Sequence, residues 1–262
     1  MRLSNTNGPG SQIKVSRPDS ASTFAKGLEV LDCFQGGRSD LTMADIARLT
    51  GFDRATARRL CLTLEECGYL NRSERFFRLS PKVVAVAGGY LTSHGIGKSV
   101  QPAMNQFAEE LDSEISLAVR DGTRAVYVAR SAVANARKSL GFSVGSALPL
   151  LPTAVGRMLL SRCPSSDRDE VIAACPLERY TEATDMDLAS IQDKIVQASR
   201  DGFAYAVNEF EAGASGIAVP IADIGDTQAV LGTTAPANHF ARPGMVDWVV
   251  DILRRAAMTL RG

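Results

Sequence analysis

The sequence predicts an α+β chain, in which an N-terminal winged helix-turn-helix precedes a larger domain made of an antiparallel sheet and flanking helices. Three observations support this fold class. The chain has 262 residues, which is enough for two domains of ordinary size. Three helical patterns and one hairpin pattern precede residue 81, whereas strands and helices are mixed after residue 99. The proportions of 45% apolar and 22% charged residues are typical of a globular protein with a buried core.

A first helix is predicted from near Thr23, and it should end at Gly36 and Gly37. Its apolar residues recur at helical spacing on one face, at Phe24, Leu28, Leu31 and Phe34. Residues 1–22 are rich in Ser, Asn, Gly and Pro, and we expect them to form a disordered tail.

The next two helices are marked by their caps. Thr42 and Asp45 have the spacing of a capping box, and the helix that they start should end at Gly51. Asp53 is placed to cap a third helix, which should end at Gly68. Two short helices that meet at a tight glycine turn predict a helix-turn-helix.

A wing and a linker helix should follow. Tyr69–Leu70 and Phe76–Leu79 have strand character and flank a polar turn, which predicts a hairpin. Ser80 and Pro81 have the pattern of a helix start. The apolar run from Val83 to Ala87 is too short to span a bilayer, and we expect it to pack against a partner chain. The predicted division is a winged helix-turn-helix over 23–80, a linker helix over 81–98 and a larger domain over 99–262.

The larger domain mixes helices with strands. An amphipathic helix is predicted from Val100 to Leu111, and a hairpin turn is predicted at 121–123. Strands are predicted at Ile115–Arg120, Ala125–Arg130, Ser139–Val144, Phe203–Asn208, Ile217–Ile221 and Ala229–Thr234. Further helices are predicted at Thr153–Leu160, Asp167–Ala174, Asp187–Arg200 and Pro243–Leu260. This mixture predicts an antiparallel sheet covered by helices, the architecture of small-molecule sensor domains of the GAF-like type.

Charge is distributed unevenly, although the formal net charge is zero. Met1 to Ser80 contain twelve Lys and Arg against nine Asp and Glu, and the remainder has the opposite excess. A mildly basic front half is compatible with nucleic-acid binding, which depends on clustered positive charge.

The five cysteines form no CxxC pair, and no stretch resembles a signal peptide or a membrane span. We therefore expect a cytoplasmic protein with reduced thiols and no membrane partner.

Candidate DNA-contacting residues lie mainly on the third helix and the hairpin. If Leu60, Cys61 and Leu64 face the core, the opposite side of that helix exposes arginines and threonines. Arginine pairs with guanine or phosphate, and threonine contacts bases or backbone. The candidates are Arg54, Thr56, Arg58, Arg59 and Thr63 on the helix, Arg75 and Arg78 on the hairpin, and Thr42 at the preceding helix start. An ordinary solvated helix face is the alternative interpretation.

Glycine-rich segments of the larger domain suit the binding of a small anion. Leu148 to Arg157 brings a turn to a helix N-terminus, where free amides and the helix dipole favour a carboxylate. Asn208 to Gly216 would form a second wall, and Thr233 and Thr234 would add hydroxyl groups. Turn formation alone would also explain these segments.

The sequence offers little for catalysis. Only two histidines are present, His94 and His239, so neither a His-rich metal site nor a Ser-His-Asp triad is favoured. We expect no catalytic residue, no metal and no cofactor. Two alternatives stay open: a small-molecule enzyme fused to a DNA-binding module, and a protein-interaction module that uses the winged domain.

Three stretches of the sequence, Leu41–Leu70, Leu148–Leu160 and Gly202–Pro220, match one family in order. On these stretches, the sequence resembles the IclR family of bacterial transcriptional regulators from about Thr23 onward. The block from Asp53 to Leu64, with the Gly-Tyr pair that follows it, is similar to the PcaR/PobR/PcaU-type subgroup.

The resemblance implies a homodimer or homotetramer that contacts a double-stranded DNA operator through its third helix and wing. Members of the subgroup commonly activate genes of aromatic-acid catabolism, and their effectors are small carboxylates such as 4-hydroxybenzoate, protocatechuate or β-ketoadipate. The chain is therefore expected to be a regulator, an activator rather than a repressor, and not an enzyme. The effector-binding residues implied by the resemblance are Ala154, Val155, Gly156, Glu209, Ala214, Gly216, Gly232 and Thr234.

Overall fold

A computed structural model describes residues 21–131 and 142–260 of the chain. The chain separates into two compact units, and the division falls between Tyr90 and Leu91. The disordered tail expected over 1–22 lies outside the described residues except for its last two positions. No helix in the described ranges combines the length and the apolar composition needed to cross a membrane.

The smaller unit contains the predicted helices and hairpin. Its elements are α1 (Ser22–Asp32), β1 (Leu41–Thr42), α2 (Met43–Thr50), α3 (Arg54–Glu66), β2 (Leu70–Ser73), β3 (Phe76–Leu79) and most of α4 (Pro81–Ser93), which ends just beyond the division. The three strands form an antiparallel sheet in the order β1-β3-β2, which places the hairpin beside the entry to α2.

Local hydrogen bonds explain where these helices begin. Thr42 and Asp45 form both halves of the predicted capping box, and the Asp53 side chain accepts from the backbone N–H of Thr56 at 2.9 Å. Gly51, with a φ of 72°, lies in the left-handed region that a residue with a Cβ disfavours, and it makes the tight turn between α2 and α3.

The inward face of α1 differs from the predicted one. Val30 of α1, and Phe34 two residues beyond its end, are buried in the core of the smaller unit with Ile46 and Leu60, whereas Phe24 is 69% exposed. Leu28 is exposed as well. The helical period was therefore predicted correctly, but part of the apolar face of α1 has no cover within the described chain.

The larger unit contains a six-stranded antiparallel sheet in the order β6-β5-β4-β9-β8-β7. Its strands are β4 (Ile115–Asp121), β5 (Arg124–Arg130), β6 (Ala147–Pro149), β7 (Ala204–Val207), β8 (Ala214–Pro220) and β9 (Ala229–Pro236). Its helices are α5 (Gln101–Leu111), α6 (Ala154–Arg162), α7 (Ser165–Ala174), α8 (Leu188–Asp201), α9 (Ala237–Phe240) and α10 (Met245–Thr259).

Strand alternation divides the apolar core of this unit into two parts. One part lies between the sheet and α5 with α10, and it contains Met104, Ile217 and Leu253. The other lies between the opposite face and α6 with α8, and it contains Leu159 and Ile195. The sheet is therefore covered on both faces, which holds α6 against the strands that surround the candidate site.

Some predicted elements differ from the observed ones. Half of the strand expected over Ser139–Val144 lies outside the described residues, its described half is not strand, and the edge strand is instead β6. A π-helical turn, Ile96–Val100, follows α4, and α9 was not predicted. All five cysteines are free: Cys33, Cys61 and Cys163 are buried, Cys175 is half-buried and Cys67 is exposed.

Candidate functional sites

Three arginines of α3 point away from the core of the smaller unit. Arg54, Arg58 and Arg59 are all exposed, while Ala57, Leu60 and Cys61 form the buried side of the same helix. None of the three guanidinium groups makes a hydrogen bond or an ion pair within the described part of the chain. We call Arg54, Arg58 and Arg59 the arginine face. Its donors are available to an external acceptor.

The candidate threonines are less available. The Thr56 hydroxyl donates to Asp53 at 2.7 Å, and the Thr63 hydroxyl donates to the Arg59 carbonyl at 3.0 Å. Thr42 is held in the capping box, where its hydroxyl donates to Asp45 at 2.6 Å. The hydroxyl hydrogens are therefore already used locally, and the arginine face supplies the free donors.

The hairpin holds its two candidate arginines in different ways. The Arg75 guanidinium lies 5.0 Å from the centre of the Phe76 ring, a cation–π distance. Arg78 pairs with Asp40, although its side chain remains 55% exposed. This ion pair holds the pKa of Asp40 below its usual range, chiefly through the hydrogen bond from Arg78. Arg72, which was not predicted, lies over the ring of Phe77 on the same hairpin.

A cavity opens in the larger unit between the N-terminus of α6, the sheet and the connection 208–213. It encloses about 480 Å³ of empty space, including the part open to solvent. Its lining residues are Tyr127, Phe142, Leu148, Pro152, Thr153, Ala154, Val155, Ala206, Glu209, Phe210, Glu211, Ala214, Ser215, Gly216, Ile217, Thr233 and Thr234. The Leu148–Arg157 and Asn208–Gly216 segments, distant in sequence, therefore form neighbouring walls.

Of the eight predicted effector-binding residues, six line the cavity: Ala154, Val155, Glu209, Ala214, Gly216 and Thr234. Gly156 and Gly232 do not. A Cβ on Gly156 would lie 2.2 Å from the Leu150 carbonyl oxygen, and a Cβ on Gly232 would lie 2.6 Å from the Val155 side chain. Both glycines let α6 approach its neighbours closely, so the structure places them behind the cavity wall.

The N-terminus of α6 gives the cavity donors for an anion. Thr153 caps the helix: its hydroxyl oxygen accepts from the Gly156 amide at 3.2 Å and donates to the Pro149 carbonyl at 2.7 Å. The amides of Ala154 and Val155 precede the first intrahelical hydrogen bond and have no acceptor within the helix. These amides and the helix dipole attract negative charge.

Aromatic residues form another part of the wall. Phe142 lies between Tyr127 and Phe210, with ring centroids 6.2 Å and 6.1 Å away. Tyr180 lies behind Phe210 at 5.1 Å. Burial raises the pKa of Tyr127, so its hydroxyl stays protonated and can donate. Phe210 belongs to the predicted Asn208–Gly216 wall, whereas Tyr127, Phe142 and Tyr180 were not predicted, because they come from three other segments and no local pattern links them.

The carboxylate of Glu209 is bound by the protein itself. Arg157 donates to its two oxygens at 2.7 Å and 2.5 Å, and Lys194 lies 3.3 Å away. Burial alone raises the pKa of Glu209, but the hydrogen bond and charge of Arg157 outweigh burial and hold that pKa below its usual range. Glu209 therefore borders the cavity as an ionised group that already has partners. Arg157, 1% exposed, was not predicted, although an arginine inside an apolar helical run was a possible signal.

The hydroxyl of Ser215 is buried and has no hydrogen-bond partner within the described residues. Gly216 pairs with Thr234 and Ala206 on the cavity side, so strand alternation puts the Ser215 side chain on the opposite face of the sheet. Ser215 therefore borders the cavity through its backbone.

Residues 21–131 and 142–260 contain no group of three or more His, Cys, Asp or Glu side chains arranged to hold a metal ion.

Two family models cover most of the chain. Residues 23–74 match the IclR helix-turn-helix domain, and residues 88–261 match the bacterial transcriptional regulator IclR C-terminal model. The chain belongs to the IclR family.

Relatives within the IclR family support the predicted subgroup. The Pca regulon regulatory protein of Pseudomonas putida is 32% identical over 250 residues, which are 95% of this chain and 86% of that protein. The p-hydroxybenzoate hydroxylase transcriptional activator of Acinetobacter baylyi is 31% identical over 258 residues, 97% of this chain and 95% of that protein. These relatives are transcriptional regulators, which confirms the prediction of a regulator over that of an enzyme.

A solved IclR homologue confirms the fold class. It comes from Microbacterium hydrocarbonoxydans, was crystallised with 4-hydroxybenzoate, and is 27% identical to this chain. The match covers 91% of this chain and 97% of that one, with a TM-score of 0.75. The predicted combination of a helix-turn-helix domain and an α+β C-terminal domain is therefore correct.

Proposed function

We propose that this IclR-family regulator binds operator DNA through α3 and the wing, and that a small carboxylate effector in the cavity changes its affinity for DNA. The effector is an aromatic acid or an oxo acid from a catabolic pathway, and the regulator acts as an activator. The observation that carries the proposal is the arginine face: three exposed guanidinium groups without partners in the described chain, on the second helix of a helix-turn-helix.

The DNA-binding surface includes the predicted residues of α3 and the hairpin. Arg58 and Arg59 supply bidentate donors for guanine or phosphate, and Arg75 and Arg78 on the wing contact the backbone or the minor groove. Thr56 and Thr63 contribute mainly packing and acceptor oxygens, because their hydroxyl hydrogens are used within the helix.

The effector site is the cavity of the larger unit. Its carboxylate would lie at the α6 N-terminus, near Ala154 and Val155, and its ring or chain would lie against Phe142 and Phe210. The 4-hydroxybenzoate in the Microbacterium hydrocarbonoxydans homologue supports an aromatic acid. The activator named in Acinetobacter baylyi supports activation over repression.

We further propose a cytoplasmic homodimer or homotetramer that needs no cofactor or metal. In α4, no residue is buried, and Val84 and Val86 are 71% and 62% exposed. So much apolar surface in one short helix is typical of a face that a partner chain covers. The proposed domains are a tail over 1–22, the winged helix-turn-helix over 23–80, a linker helix over 81–98 and the effector domain over 99–262.

The DNA-binding proposal is tested by replacing Arg58 and Arg59 with alanine and titrating promoter DNA at several salt concentrations. The plot of log affinity against log salt has a negative slope, and each lost phosphate contact should make that slope shallower by about 0.9. Each lost base contact should reduce the binding free energy by about 1–3 kcal/mol. Arg200→Ala, an exposed arginine at the end of α8, is the matched control. Unchanged affinity and slope in the double variant would refute the role of the arginine face.

The effector proposal is tested by thermal shift with 4-hydroxybenzoate, protocatechuate and β-ketoadipate. A ligand at one hundred times its dissociation constant stabilises the folded state by about 2.7 kcal/mol. Gly216→Val should reduce the response, because Gly216 lines the cavity: an added Cβ makes ordinary contacts with Ala154 at 3.5 Å and Thr234 at 3.7 Å, so the two methyl groups of valine would extend into the space of the ligand. The absence of any shift with all three acids would exclude this class of effector.

A further inference from the structure

Two glutamates border the cavity, and they differ in their partners. Glu209 is bound by Arg157 and Lys194. Glu211, two residues later on the same connection, accepts no hydrogen bond and forms no ion pair through its carboxyl group within the described part of the chain. Its backbone carbonyl accepts from the Ala214 amide at 3.1 Å, which fixes the turn that carries it.

At the position of Glu211, partial burial makes the charged form of the carboxyl group less favourable than it is in water. The residue is only partly exposed, and burial raises the pKa of its carboxyl group, with no cation among residues 21–131 and 142–260 to oppose the change. A ligand that fills the cavity would remove more water from this group. A ligand without a donor would leave an acceptor dehydrated and unpaired, whereas a ligand with a hydroxyl or amino group would give it a hydrogen bond.

We propose that Glu211 is a specificity-determining residue, which selects effectors that carry a hydrogen-bond donor on the ring in addition to the carboxylate. This inference rests on the proposed function, because it takes the cavity as the site of a small aromatic carboxylate. The carboxylate itself would not lie against Glu211, since two negative charges would repel each other there. The α6 N-terminus attracts the carboxylate, so the two sites together orient the ligand.

The experiment compares four probes by isothermal titration calorimetry on the full chain: benzoate, 3-hydroxybenzoate, 4-hydroxybenzoate and 4-methoxybenzoate. The methoxy acid keeps the oxygen of the para position but has no hydrogen to donate. At least one hydroxy acid should bind about tenfold or more tightly than benzoate and 4-methoxybenzoate, because a site with a dehydrated acceptor rejects an analogue that lacks the donor.

The variant Glu211→Met keeps the length of the side chain and removes both acceptor oxygens. In this variant, the hydroxy acids and benzoate should bind within about twofold of one another, with benzoate binding at least as well as in the wild type. Glu170→Met on α7, an exposed glutamate outside the cavity lining, is the matched control and should keep the wild-type preference. Thermal melting of both variants checks that the fold is retained.

The outcomes separate the two proposals. If the probes bind and no hydroxy acid is preferred, or if the preference persists in Glu211→Met, the assignment of Glu211 is wrong while the aromatic-acid site stands. If none of the four acids binds the wild type, the aromatic-acid effector is refuted and the assignment of Glu211 is refuted with it.

Discussion

Replacing Arg157 by methionine should destabilise the larger unit by about 3 kcal/mol. The arginine donates to the Leu151 carbonyl at 2.7 Å and to both oxygens of Glu209, and it is 1% exposed. Breaking a buried ion pair from one side costs about 3–5 kcal/mol, because the other charge stays buried. Lys194 remains 3.3 Å from the Glu209 carboxylate and is 42% exposed, so its charge compensates in part for the missing guanidinium group. The expected loss therefore lies at the lower end of the range of about 3–5 kcal/mol.

The single tryptophan of the chain makes this loss measurable. Trp248 lies on α10, so its fluorescence during urea unfolding reports on the larger unit. A loss of about 3 kcal/mol corresponds to a fall of roughly 6–12 °C in Tm for a unit of this size. The exposed Arg200→Met on α8 should change the unfolding free energy by less than about 0.5 kcal/mol.

A second variant distinguishes an unpaired charge from lost packing. The double replacement Arg157→Met with Glu209→Leu removes both charges, and it should be more stable than Arg157→Met alone. If the single variant loses less than about 1 kcal/mol, or if the double variant is no more stable than the single one, the unpaired carboxylate of Glu209 is not the source of the loss.

Three further predictions concern acid stability, close packing and assembly. Burial alone raises the pKa of Asp185, but hydrogen bonds from Lys194 and other neighbours hold that pKa well below its usual range. The ionised carboxylate therefore contributes to stability above about pH 4, and this contribution is lost as the pH falls further. Between pH 5 and pH 2, the free energy of urea unfolding should decline less steeply for Asp185→Asn than for the wild type. Gly156→Ala places a Cβ 2.2 Å from backbone and should cost about 1–3 kcal/mol or more in thermal unfolding, whereas Gly216→Ala meets only ordinary contacts and should melt near the wild type. Val84→Glu on α4 should lower the fraction of dimer in sedimentation velocity at equal concentration with little change in Tm, and an unchanged dimer fraction would argue against α4 as an interface.

The starts of α2 and α3 could be predicted because their causes are local, whereas α1 ends at Asp32, before the predicted stop at Gly36 and Gly37. A capping residue bonds to a backbone amide three positions away, so the Thr42 and Asp53 caps were visible in the sequence. Local sequence did not determine which face of α1 is buried. Phe24 and Val30 are both apolar, and only the position of the other helices decides which of them is covered.

The candidate cavity was predicted in part. Ala154 and Gly216 were found because a helix N-terminus and a glycine-rich turn have recognisable patterns. Phe142 and Tyr127 were missed, and Glu211 was included only as part of the Asn208–Gly216 segment, because an aromatic or acidic residue has the same local appearance in a cavity wall as on a surface. For Gly156, the pattern was recognised, but the function of the residue is close packing against Leu150.

The sequence by itself determined the periods, the caps, the winged helix-turn-helix and the family, since each of these depends on residues a few positions apart or on ordered matching segments. Only the tertiary structure decided which charges are bound and which are free. Arg58 and Arg157 are both arginines inside helices, yet the first is exposed without a partner in the described chain and the second is buried against Glu209, fifty-two positions away. Burial and charge pairing are properties of contacts between distant segments, and those contacts exist only once the chain has folded.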